Sequence, residues 1–197
     1  IIISLLNIQS GLIKNPVDAE IFNETKNRIL AMSLVHERLH QSETLADIDF
    51  ADYVRKLALG LFRSYGVNPS RVVLTIEIPS LTIGVDMAIS CGLVLNELLS
   101  NSLKYAFADG RSGEIGIAVS FNGSRYDIEI WDNGIGLPES VDLRGNETLG
   151  LQLVVSIVEN QLRGTVAVLR EKGTRFKINF TEARQKHSRV SLDDKIQ

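Results

Sequence analysis

Apolar and polar positions recur with two different periods along this chain. In the first third they repeat as on helices. Residues 1–14 carry Ile2, Leu5, Leu6 and Ile8 on one stripe and read as the end of a helix, broken at Asn15-Pro16. A second helix is predicted from about Val17 to Ser42, where Phe22, Thr25, Ile29, Met32, His36 and Leu39 follow the alternating three-four spacing of a heptad seam. Two helices joined by a short turn bury little alone, and pairing with a second copy would complete a four-helix bundle, so a homodimer is expected. Asp47 to about Gly66 forms a further amphipathic helix with Phe50, Val54, Leu57, Leu59 and Phe62 on its apolar side, ended by Gly66.

From residue 71 strands and helices alternate. Val72, Leu74, Ile76 and Ile78 share one face of a strand over 71–78, and a link through Pro79 and Gly84 leads into a long helix over roughly 84–107. After a turn cluster at 108–113, two alternating strands are joined by Asn122-Gly123, a strong hairpin signal. The first carries Ile115, Ile117, Val119 and Phe121 on one face; the second carries Tyr126, Ile128, Ile130 and then Asp132. Residues 137–148 read as an irregular, mobile loop. A helix opens at Thr148-Leu149-Gly150-Leu151 and runs through Val158 to Gly164, and strands 165–169 and 174–180 complete the pattern. The fold class expected is α+β: a helical hairpin over 1–45, an α/β sandwich with a mostly antiparallel sheet over 46–180, and a polar tail over 181–197.

Composition adds limits. Among 197 residues the formal charge is −3, with no basic block or stripe, so nucleic acid is not an expected partner. The single cysteine, Cys91, falls on the apolar side of the long helix and has no internal disulfide partner, which suits a reducing, cytoplasmic setting. No apolar run approaches the ~18 residues of a membrane span, and no membrane contact is expected of this segment. The chain lacks an initiator methionine and opens abruptly on an apolar run, so it is expected to be a fragment cut inside a helix.

The candidate chemistry sits on the long helix. At about 100° per residue, Lys104, Glu97 and Asn101 fall on the same side as Asn96, while Ala88, Leu95, Leu99, Leu103 and Ala106 fall opposite. Amides and a carboxylate suit a hard cation through oxygen, and an ammonium suits a phosphate. Asp132 carries the inward phase of its strand; a carboxylate there is costly unless it accepts hydrogen bonds. The Asn133-Gly134-Ile135-Gly136 turn behind it lets backbone approach a ligand, the glycine-started helix at Gly150 offers free N–H groups to an anion, and Thr174 is an inward hydroxyl near Asp132. Together these suit a purine nucleoside triphosphate with Mg²⁺. His36-Glu37-Arg38-Leu39-His40 has the H-E-x-x-H spacing of zinc metalloproteases, but a catalytic zinc needs a third ligand, and His187 lies in the polar tail.

Asn96-Glu97-Leu98-x-x-Asn101-x-x-Lys104-Tyr105-Ala106 resembles the N box of the gyrase, histidine-kinase and MutL ATPase superfamily, the Bergerat fold. Asp132-Asn133-Gly134-Ile135-Gly136 and Gly150-Leu151 resemble its two glycine boxes, and Gly173-Thr174-Arg175-Phe176 its closing motif. Ser4 to Ser10 and Leu34 to Leu39 resemble the second type of histidine-kinase dimerisation domain, close to the HWE sensor kinases. The resemblance implies the catalytic core of a sensor histidine kinase that passes the ATP γ-phosphate to a histidine upstream of this chain and then to a response regulator receiver domain. His36 would be a second-helix residue and not the acceptor. Asn96 would bind Mg²⁺. Asn101 and Lys104 would contact phosphates, Tyr105 would line the nucleotide, and Glu97 would polarise the attacking group. Asp132 would take the adenine amine, backed by Thr174, with Gly134 and Gly136 shaping the pocket and Gly150 and Leu151 presenting N–H groups. The competing readings are a hydrolysing or non-catalytic nucleotide-binding module of the same fold, and the zinc protease.

Overall fold

The computed structural model describes residues 2–41, 47–108, 110–145, 148–170 and 172–181. The predicted tail beyond 181 lies outside these residues. Helices α1 (Ile2–Ser10) and α2 (Pro16–Gln41) form the hairpin, with the Asn15 side chain accepting from the Val17 N–H at 3.0 Å to cap α2. The buried face of α2 is not the heptad seam. It consists of Asn27, Ala31 and Val35, which pack inward, while Met32 of the seam is 43% exposed and Phe22 and Ile29 are half-buried. The seam position Leu39 has its side chain outside the described residues. Leu5, Ile8, Leu12, Val17 and Ile21 of the hairpin are exposed as well.

Helix α3 (Phe50–Ser64) is capped by Asp49, whose Oδ1 accepts from the Asp52 N–H at 3.0 Å. Phe50, Val54, Leu57 and Phe62 are buried as expected, but Leu59 is exposed because it lies off the stripe formed with Tyr53, Ala58 and Leu61. Two three-residue strands, β1 (Asp47–Asp49) and β3 (Thr82–Gly84), pair antiparallel beside α3. They are too short to show a period of two, which is why the sequence reads them as helix start and link.

The main sheet runs β2-β4-β5-β7-β6, built from β2 (Val72–Glu77), β4 (Gly113–Phe121), β5 (Arg125–Asp132), β6 (Thr165–Leu169) and β7 (Thr174–Thr181). Only β2 and β4 are parallel, because the long helix α4 (Val85–Asn101) crosses between them. The other pairs are antiparallel. Ile115, Ile117, Ile128, Ile130, Phe176 and Ile178 face a layer of helices, and the other side carries an ion-pair group in which Glu129 meets Arg175 at 2.6 Å and Lys177 at 3.2 Å. Helix α5 (Leu149–Ser156) lies against α4. Both α4 and α5 pass into a π-helical turn, Ser102–Ala106 and Ile157–Gln161 respectively. Among the described residues, no helix is long and apolar enough to cross a membrane.

The hairpin is tied to the helical layer through Tyr53. Its hydroxyl donates to the Ala31 carbonyl at 3.1 Å, and it fits only because Gly92 of α4 has no side chain: a Cβ there would stand 1.6 Å from Tyr53 Oη and 2.7 Å from Cζ. Burial pushes the Tyr53 phenol well above its ordinary range. Gly92→Ala gains helix propensity of about 1 kcal/mol but overpacks a fully buried ring. The expected net loss is roughly 1–3 kcal/mol, read as a lower urea midpoint. A midpoint at or above that of the unsubstituted chain would show that Tyr53 can move without cost.

Candidate functional site

The first half of the site is assembled around one carboxylate. Asp132 ends β5 on the inner face and is 5% exposed. Its Oδ1 accepts from the N–H groups of Gly134 at 3.0 Å and Thr174 at 3.3 Å, and its Oδ2 accepts from the Ser102 hydroxyl at 2.8 Å. Antiparallel register sets Asp132 opposite Thr174, as the inward phase of both residues requires. The turn behind Asp132 rests on the end of the long helix. The Ile135 N–H donates to the Ala106 carbonyl at 3.1 Å, and a Cβ on Gly134 would come within 2.3 Å of that oxygen. Gly173 has φ +112°, and a Cβ there would meet the Asp132 carbonyl at 2.0 Å, so only glycine permits the β7 turn to close on Asp132. Gly136 faces the Gly173 carbonyl across the same turn.

Ser102 is missed by sequence reasoning. On a regular helix it reads as an unremarkable position between Asn101 and Leu103. The π-turn that begins at Ser102 changes the phase of the helix there, and its hydroxyl meets the carboxylate.

The second half lies on the preceding turns of α4. Asn96 is 2% exposed; its Nδ2 donates to Glu97 Oε1 at 3.0 Å, and its Oδ1 is a buried acceptor without a partner. Glu97 is buried and gripped at both oxygens by Arg28 of α2, Nε to Oε1 at 2.7 Å and Nη2 to Oε2 at 2.9 Å. That hydrogen bonding raises the Arg28 pKa despite burial. Gly150, in the first turn of α5, abuts the same carboxylate: a Cβ there would be 2.6 Å from Glu97 Oε2. The Leu151 N–H is engaged by its own cap, donating to Thr148 Oγ1 at 3.3 Å.

Lys104, in the π-turn, donates to Glu20 Oε1 at 2.8 Å and to Glu24 Oε1, both on α2. Burial works to lower its pKa, and the two carboxylates more than offset it, holding the ammonium above its ordinary range. Tyr105 is exposed, its ring centroid 5.9 Å from the Lys104 ammonium, and Asn101 is half-buried nearby. The structure therefore brings Asp132, Thr174, Gly134 and Gly136 together at one end and Asn96, Glu97 and Gly150 at the other. It places Lys104 and Glu97 against α2. No cluster of three His, Cys, Asp or Glu side chains suited to a metal occurs among the described residues; His36 is exposed on α2, and the His40 side chain and His187 lie outside them.

The orphaned Asn96 Oδ1 beside a carboxylate is an all-oxygen set that fits a hard divalent cation. Asp132 fits an exocyclic amine. An ionised carboxylate has about four acceptor positions, and three here are filled.

Two family patterns match the chain. One, described as histidine kinase, covers residues 1–65; the other, described as histidine kinase-, DNA gyrase B- and HSP90-like ATPase, covers residues 88–184. The sensor histidine kinase PdtaS of Mycobacterium tuberculosis is 26% identical over 187 residues, covering 87% of this chain and 34% of that protein. Blue-light-activated histidine kinase 2 of Erythrobacter litoralis is 26% identical over 163 residues, covering 80% of this chain and 46% of that protein. The chain thus spans between a third and a half of the length of these relatives. Among solved structures, the histidine kinase domain of the Erythrobacter litoralis EL346 blue-light activated kinase superposes with a TM-score of 0.73 at 23% identity, over 90% of this chain and 93% of that one. The histidine kinase ThkA in complex with the response regulator TrrA gives 0.55 at 19% identity, over 92% and 57%. At these identities the structural likeness establishes the fold alone. With both patterns in sequence order and the sheet, glycine turns and long helix arranged as described, this chain belongs to the histidine kinases, carrying their helical dimerisation region followed by an ATPase domain of the kind shared with DNA gyrase B and HSP90.

Proposed function

We propose that the chain is the catalytic core of a two-component sensor kinase, which binds ATP with Mg²⁺ and transfers its γ-phosphoryl group to a histidine outside this chain, from which a response regulator takes it. The hairpin, residues 1–45, would dimerise through its outward seam, residues 46–180 would bind nucleotide, and the whole would work in the cytoplasm.

The observation that carries this reading is the Asp132 carboxylate. It is buried, held by three donors and left with one acceptor position, which suits the amine of adenine. Asn96 lies six residues before Ser102 on the same helix, about 9 Å along its axis. That spacing suits a base at one end and phosphates at the other. Gly150 at the start of α5, which lies against Glu97, would let backbone come close to the phosphates. Asn96 would hold Mg²⁺ through its free Oδ1, and the ion would neutralise charge on the phosphates. Glu97 would orient the attacking imidazole by accepting the proton of its other nitrogen, while Lys104 would steady the phosphates. In the transfer a P–N bond to the imidazole forms, the bond from the γ-phosphorus to the bridging oxygen breaks, and ADP leaves. Such a reaction needs positioning and charge stabilisation more than covalent help, which suits a site without a nucleophile of its own.

Two substitutions test these roles by calorimetry. Asp132→Asn keeps the fold, since an amide can still accept from the backbone donors, but it is expected to abolish ATP binding; a variant that binds ATP with unchanged affinity overturns the adenine assignment. Asn96→Ala is expected to lose more affinity for Mg²⁺-ATP than for ATP in EDTA, whereas equal losses would remove the metal role from Asn96.

A further inference from the structure

Glu20, Glu24 and Arg28 recur at every fourth position of α2, which lines three charges along one face of a helix. All three reach the candidate site. Glu20 and Glu24 take the Lys104 ammonium, and Arg28 takes both oxygens of Glu97. The order of charge matches that of a nucleotide with its metal: anions stand where phosphate would meet Lys104, and a cation stands beside Glu97 and the orphaned Asn96 Oδ1. The Lys104 side chain is only 10% exposed in this arrangement, so a phosphate brought to it would meet two carboxylates of like charge at close range. The inward packing of α2 does not itself require the row, because Asn27, Ala31 and Val35 supply its buried face.

We propose that the Glu20, Glu24 and Arg28 row of α2 is an internal mimic of Mg²⁺-ATP that competes with it for Lys104 and Glu97, so that the hairpin closes the nucleotide site when docked as seen here. This rests on the ATP-binding reading above. Competition is reciprocal: nucleotide must weaken the docking of α2 by the same factor by which docking weakens nucleotide binding. The position of the dimerisation hairpin and the occupancy of the ATP site are then two readouts of one equilibrium.

The test uses the whole chain with the double substitution Glu20→Gln and Glu24→Gln. Both side chains reach solvent, so the fold survives their neutralisation. If the docked state holds about nine-tenths of the molecules, releasing it raises Mg²⁺-ATP affinity about tenfold, measured by calorimetry. Amide hydrogen exchange over residues 16–37 is expected to rise in the variant, and to rise in the unsubstituted chain on adding Mg²⁺-ATP. Simple loss of negative charge near the site would tighten binding without loosening α2, and that result overturns the proposal. So does a variant that binds no tighter than the unsubstituted chain, which leaves the ATP reading standing. If neither protein binds Mg²⁺-ATP while α2 exchange still rises in the variant, the ATP reading itself fails and the competition falls with it.

Discussion

A helix enclosed on all sides must find partners for every polar side chain it carries, and α4 is enclosed in this way over residues 94–100. Leu95, Leu98 and Leu99 are buried, but so are Asn96, Glu97 and Ser100, with Ser102 following in the π-turn. An unpaired carboxylate in that position would cost several kcal/mol. Much of the surrounding architecture answers this demand. Arg28 brings α2 to Glu97, the start of α5 is glycine at Gly150 so that it can lie against the same carboxylate, and Ser102 turns towards Asp132. Two groups stay unanswered, Asn96 Oδ1 and Ser100 Oγ, and the first lies where the metal is proposed to bind.

The sheet and its inward-facing polar residues were legible from sequence because alternation is local. Once Ile128 and Ile130 are placed inward, Asp132 follows, and the same count along the last strand brings Thr174 beside it. The helices were legible as helices, but the contacts of α2 were not. Large apolar residues spell a heptad seam, while the face that meets the body is Asn27, Ala31 and Val35, whose small or polar side chains give little hydrophobic signal. Ser102 was hidden for a different reason: the π-turn changes the helix phase, and residue spacing alone does not reveal it. The α2 partners of Glu97 and Lys104 lie 69 to 84 residues away in the chain, beyond any local pattern. The one available clue was the row of charges at 20, 24 and 28.

The kind of contact that joins hairpin to nucleotide site decides how it can behave. The Lys104 ammonium is only 10% exposed and is shared between Glu20, which is half open to water, and Glu24, so the cost of burying it offsets part of the attraction. The pair between Arg28 and Glu97 is more deeply placed and bidentate, yet burying two charges offsets most of their attraction. What is strongly disfavoured is leaving Glu97 without any cation. A site built this way tolerates an exchange of one set of counter-charges for another far better than it tolerates their loss. Mg²⁺-ATP brings both signs together, as the α2 row does. On the competition proposed above, the docked and released states would lie close in free energy, and a few kcal/mol applied at the outward seam of α2, such as a second copy packing against Phe22, Ile29 and Met32, would move the balance from one to the other.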